Sequence, residues 1–101
     1  MTPKAQRALA GSIKKWEGIL CGEIQDLAEK NCPLCAQFID NDCKGCPVFA
    51  KTKKINCAAT PHRTQWLPAL RKAPYQGGNY AETMAQKRGA LAMLRFLESL
   101  R

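Results

Sequence analysis

Histidine is almost missing from this chain: His62 stands alone, and 101 residues carry only eight carboxylates. Any mechanism that needs two histidines is excluded, and the enzyme classes built on paired acid and base groups have few candidates left. No apolar run approaches the roughly 20 residues of a membrane helix. Met1 to Arg7 leads into no apolar signal core. The expectation is a chain that neither spans a membrane nor is secreted and that works in the cytoplasm. No segment shows the alternation of a strand, and no repeat occurs beyond two short cysteine pairs. Apolar residues make up 46% and charged residues 24%. That balance does not imply disorder. At this length one domain with a modest core is expected.

Acidic residues are scarce in one half only. Residues 1–50 hold six Lys/Arg and six Asp/Glu, whereas residues 51–101 hold ten and two, so the whole formal charge of +8 sits in the second half. That asymmetry points to an anionic partner, nucleic acid being the commonest.

Cysteine is abundant: six residues, at positions 21, 32, 35, 43, 46 and 57. Cys32-Pro33-Leu34-Cys35 and Cys43-Lys44-Gly45-Cys46 are C-x2-C pairs separated by seven residues. A tight turn lets both thiolates of such a pair face one ion, and two pairs complete a tetrahedron around zinc. Cys57 is a fifth candidate and can replace Cys43 or Cys46. In a reducing compartment disulfides do not persist, so one structural Zn2+ per chain, held by four of Cys32, Cys35, Cys43, Cys46 and Cys57, is expected. Disulfides and an iron–sulfur cluster are the alternatives. Cys21 falls on an apolar helix face and reads as a buried free thiol.

Helical signals frame the cysteines. Thr2 can cap a helix whose first residue is Pro3, with Leu9, Ile13, Trp16 and Leu20 on one face and an end near Gly22. The pattern resumes from Glu23 to Lys30 through Ile24 and Leu27. Residues 36–40 read as a helical turn, and Pro47 as a helix start with Val48 and Phe49 inward. Thr60 and Pro61 open a helix carrying Trp66, Leu67 and Leu70. Pro68 kinks or restarts it, Pro74 ends it, and Gln76-Gly77-Gly78 is a turn. Residues 79–101 read as an amphipathic helix of about 22 residues, capped by Asn79 with Glu82. Its stripe holds Met84, Leu91, Leu94 and Leu97, widened by Met93, Phe96 and Leu100.

Several motifs fail on their own terms. Asp40-Asn41-Asp42-Cys43-Lys44-Gly45 begins like a calcium loop, but its fifth and twelfth positions are Lys44 and Lys51. His62, five residues after Cys57, can complete a Cys3His set, yet its place at a helix start reads as surface, and no acid or base partner is visible nearby. No His-x-Glu accompanies the cysteines, so the zinc is expected to be structural and the protein not an enzyme. Trp16 and Trp66 read as core. Tyr75 and Tyr80, near Arg71, Lys72, Lys87 and Arg88, either interleave a basic contact surface or pack back onto the core.

The ordered set Ser12-Ile13-Lys14-Lys15-Trp16-Glu17, Asn31-Cys32-Pro33-Leu34-Cys35, Cys43-Lys44-Gly45-Cys46-Pro47-Val48, Cys57 and Thr60-Pro61 resembles the short cysteine-rich proteins of tailed bacteriophages and prophages over residues 12–67. The resemblance implies a phage accessory protein acting in the bacterial cytoplasm, with a metal held by the cysteines. His62, where that group has an aromatic residue, and Asp26-Leu27-Ala28, where it has a polar stretch with glycine, depart from the pattern.

The sequence therefore predicts a mainly α, single small domain: short helices around a cysteine-rich zinc knuckle, with a long C-terminal amphipathic helix. Residues 2–30 form an N-terminal helical part, 31–60 the metal module and 61–101 the basic helical part. Nucleic acid would be held by phosphate contacts from Lys51, Lys53, Lys54, Arg63, Arg71, Lys72, Lys87 and Arg88. A protein-binding inhibitor of a host defence or transcription complex is the alternative. No membrane partner is expected, and a homodimer through the C-terminal stripe is compatible with either.

Overall fold

The computed structural model describes residues 1–54, 57–72 and 80–101. Helix α1 runs Pro3–Leu20, unbroken through Gly11-Ser12. The Thr2 hydroxyl accepts the Ala5 N–H at 3.1 Å, satisfying one of the orphan donors at the helix start. Gly22, at φ +77°, turns the chain away, in a conformation that favours glycine. The helix does not resume at Glu23. Asn31 instead holds the segment in a short 3-10 turn, Ala28–Asn31, by accepting from Leu27 N–H at 3.1 Å and donating to the Gln25 carbonyl at 2.7 Å. Leu27 is left exposed, and so is Cys21, which caps α1 and is not the buried thiol its spacing suggests.

Two short helices each open on a proline: α2, Pro33–Phe38, continued by a 3-10 turn Ile39–Asn41, and α3, Pro47–Thr52. Proline suits a first helical position because its missing N–H would be unpaired there anyway. Residues His62–Trp66 form a π-helical turn, with Leu67 N–H bonded to the His62 carbonyl five residues back, and run into α4, Leu67–Lys72. Pro68 has no N–H to give to the α-helical ladder, and the widened turn sits directly before it. The Thr60 side chain does not cap this helix. It is fully buried and donates to the Cys57 carbonyl at 2.8 Å. The Pro74 stop, Tyr75, the 76–78 turn and the Asn79 cap lie outside the described residues.

Helix α5 spans Met84–Glu98, shorter than its apolar pattern suggests. Its capping box is Thr83 with Gln86. Gln86 N–H bonds the Thr83 hydroxyl at 3.1 Å, and Thr83 N–H bonds Gln86 Oε1 at 2.9 Å. The buried stripe is Gln86, Gly89, Ala90, Met93, Leu94 and Leu97, while Met84, expected inside, is exposed. The small pair Gly89-Ala90 is explained by the neighbour. A Cβ on Gly89 would lie 2.9 Å from the backbone Cα of Trp66. The π turn therefore crosses α5 at van der Waals contact. Gly89→Ala is expected to destabilise the fold by about 1–3 kcal/mol, despite alanine's better helix propensity. Urea unfolding checks this, and an unchanged or raised midpoint would contradict the close crossing.

Helix α1 packs on α5 and α2, and α5 on the π turn. One apolar cluster runs through all of them, with Trp16, Ile19, Trp66, Ala90 and Leu97 among its most buried members. Both tryptophans are core, as their spacing predicted. Among the described residues there is no strand, and no helix is long and apolar enough to cross a membrane.

Candidate functional site

The cysteines enter the site from different local structures. Cys32 precedes the first turn of α2 and Cys35 lies within it, bringing the two side chains onto the same end of the helix. Cys32 and Cys35 act on one another's protonation. The neighbouring Cys35 thiol, acting against burial, pulls the Cys32 thiol down to about 5, and Cys32 together with burial pushes Cys35 far up, because one proton shared between two close groups favours the charged form of only one of them. Ser12 ties this pair to α1: its hydroxyl lies 3.8 Å from Cys32 Sγ and accepts the Leu34 N–H at 3.4 Å.

The second pair forms a tight turn. Cys46 N–H bonds the Cys43 carbonyl at 3.0 Å, and Cys43 N–H bonds the Phe38 carbonyl at 2.9 Å. Gly45, at φ +86°, is required both by that backbone angle and by Phe38, whose ring would lie 3.2 Å from an added Cβ. Cys43 and Cys57 themselves hold left-handed backbone, φ 64° and 57°. Non-glycine residues in that region are uncommon, and such strain concentrates where a ligand is clamped.

Four thiol-bearing residues, Cys35, Cys43, Cys46 and Cys57, line a cavity of about 10 Å³ together with Leu34, Val48, Phe49 and Lys54. That is room for a single ion or water. Burial, reinforced by the neighbouring thiols, pushes Cys57 up to about 12, and burial also raises Cys46. Neighbouring thiols resist ionising together, because each thiolate disfavours the next. All six cysteines are free thiols. Among the described residues no three His, Cys, Asp or Glu side chains stand close enough together to hold a metal ion. The five expected ligands are thus gathered into one region without the contraction a coordination sphere needs.

A buried polar cluster adjoins them, and it rests on Asp26, which neither spacing nor motif singled out. Lys15 Nζ lies 3.0 Å from Asp26 Oδ1 and donates to the Ala28 carbonyl at 3.1 Å. Trp66 Nε1–H donates to Asp26 Oδ2 at 2.9 Å, and His62 Nε2–H donates to the same oxygen at 3.0 Å. The side chains of Lys15 and Asp26 are 6% and 3% exposed. Burial alone would push the Asp26 carboxyl up. The His62 hydrogen bond and the Lys15 charge overcome it and hold the carboxyl far below the ordinary carboxylate range. His62 is therefore not a surface residue, and it does have an acidic partner, 36 positions away. Its ring meets Trp16 edge-on, with centroids 5.6 Å apart. Trp16 in turn meets Trp66 edge-on at 5.5 Å. Both arrangements suit the ring quadrupoles.

The eight expected phosphate contacts are Lys51, Lys53, Lys54, Arg63, Arg71, Lys72, Lys87 and Arg88, and all are exposed. Among the described residues none of them is paired with a carboxylate, the ion pairs being those on Asp26. They are spread over the end of α3 and its following turn, the π turn, the end of α4 and the start of α5. Tyr80 is half-buried, and Tyr75 lies outside the described residues. No family model matches the chain, nor does any curated protein or solved structure.

Proposed function

We propose that this is a non-enzymatic, zinc-stabilised accessory protein of phage origin that binds nucleic acid through its basic second half. The observation that carries the binding reading is the set of eight exposed cations without carboxylate partners among the described residues. Cations left unpaired at a surface are available to phosphates, and each neutralised phosphate releases a counterion. The phage setting rests on the sequence resemblance over residues 12–67. The zinc reading rests on the two C-x2-C pairs and on the four cysteines that line an ion-sized cavity. One Zn2+ is assigned to four of Cys32, Cys35, Cys43, Cys46 and Cys57, and Cys35, Cys43, Cys46 and Cys57 share the smaller cavity. Binding draws these thiols inward and deprotonates them. Four thiolates and the ion carry about −2, so the holo-chain stays basic, at about +6.

Fluorescence anisotropy with a labelled oligonucleotide tests the binding reading. Engagement of six or more phosphates predicts an affinity loss of about 10³-fold or greater between 50 and 200 mM salt. The double change Lys87→Ala/Arg88→Ala should reduce the slope of log K against log salt by roughly 2. Binding that is insensitive to salt, or absent at low salt, overturns the assignment. Capture of a host protein that survives nuclease treatment would point to the inhibitor instead.

A further inference from the structure

Cys35 and Cys57 line a second cavity besides the ion-sized one, with a volume of about 320 Å³. That is the lower end of the range for small-ligand sites, about 300–1,000 Å³. Helix α1, the Ala28–Asn31 turn, α2 with its continuation, the π turn and α5 each contribute to its wall. Resting on the nucleic-acid reading above, we infer that this cavity takes one unpaired base of a single-stranded nucleic acid, a base that carries an amino group, with an adjoining phosphate on Arg63.

Part of the wall suits a flat ring. Trp16, Ile39 and Met93 line the cavity, and Trp16 and Met93 are buried. Aromatic and thioether side chains offer any base a polarisable contact surface. A base stacked and paired inside a duplex does not reach a recess of this kind. One that is already unpaired enters at the least cost, because no stacking or pairing has to be broken.

The polar groups of the lining separate a base from a free anion. Lys15 is one of them, but its ammonium is already held by Asp26 at 3.0 Å and by the Ala28 carbonyl. The remaining cation, Arg63, is exposed and has no carboxylate partner among the described residues. Glu29 is exposed in the same lining, and a carboxylate there repels a phosphate that enters by itself. It accepts from an amino group instead, as acidic side chains do from N4 of cytosine. The imidazole of His62 offers a second acceptor. Its hydrogen bond among the described residues is from Nε2–H to Asp26 at 3.0 Å, which leaves Nδ1 of the neutral ring with a lone pair. Arg63 borders this cavity and Lys54 the smaller one. A strand whose base enters here therefore has a second cation for a neighbouring phosphate.

Fluorescence anisotropy of the full chain at low salt tests this. A labelled mixed-sequence strand should bind at least about tenfold tighter than the same strand annealed to its complement. Oligo(dC) should bind about tenfold tighter than oligo(dT). Ile39→Phe, which fills the cavity, should abolish both preferences while duplex binding and helical circular dichroism stay as in the wild type. Glu29→Ala should narrow the preference for oligo(dC) and keep the preference for single strands. Equal affinity for the strand and its duplex overturns the inference and leaves the phosphate-binding reading standing, and so does oligo(dT) binding as tightly as oligo(dC). Preferences that survive Ile39→Phe overturn it as well. Absence of binding to any of these probes overturns both the inference and the reading it rests on. If Ile39→Phe fails to fold, the wild-type comparisons and Glu29→Ala decide.

Discussion

Replacing Asp26 by alanine is expected to lower the unfolding free energy by roughly 3–5 kcal/mol, the range for breaking a buried ion pair from one side. Four groups lose their partner at once: the Lys15 ammonium, the Trp66 indole N–H, the His62 imidazole and the Ala28 backbone N–H. The lysine dominates, because an uncompensated charge remains in a site that is 6% exposed. For a chain of this length each kcal/mol moves Tm by about 4–8 °C, so a fall on the order of 20 °C is predicted. The double change Asp26→Leu/Lys15→Met should recover much of the loss, since a buried pair is often replaceable by apolar side chains of similar volume. Urea unfolding of wild type, single and double variants measures this, and a single-variant loss below about 1 kcal/mol would place the pair energetically at the surface. The same residue sets the acid limit. The folded Asp26 carboxyl lies below its ordinary value of 3.8, so its contribution is fully present above that pH and is lost as pH falls below it. Wild-type stability should therefore drop steeply below about pH 4, and a variant lacking Asp26 should show a flatter acid limb.

The second large effect is expected from chelation. Structural zinc in small cysteine modules binds with about 10–16 kcal/mol, comparable to the whole stability of a domain this size. Removing it should melt residues 31–60 first. Their helices α2 and α3 have six residues each, and under the zinc proposal these are too short to persist once the metal is removed. The left-handed backbone at Cys43 and Cys57 would also relax. The longer helices α1 and α5 pack directly on one another and should retain more protection. Hydrogen exchange before and after chelator follows this. Equal protection of residues 31–60 in both states would mean that the thiols fold without a metal.

Periodicity made the long elements legible. Thr2, Pro3 and the spacing of Leu9, Ile13 and Trp16 are local signals, and α1 follows them closely. The C-terminal helix was legible as an element and less so in its register. Thr83 and Gln86 form the capping box, and the stripe turns on Gly89 and Ala90, whose small size matters only because Trp66 crosses there. A hydrophobicity pattern undervalues such residues. The clustering of the cysteines around adjoining cavities was legible from spacing, but the buried place of His62 was not. Its fixing contact joins residues 26 and 62, and no local pattern links them. One signal did exist. Lys15 lies on the same helical face as Ala8, Ser12 and Ile19, and a charge inside an apolar stripe asks for a buried partner.

The most direct test of the whole account is native mass spectrometry of the protein taken from bacterial lysate, with and without nuclease. The account predicts zinc on every chain, no loss of hydrogens to disulfides, and bound nucleic acid that disappears on nuclease treatment. A metal-free chain with a mass deficit from disulfides, carrying no nucleic acid, would contradict it.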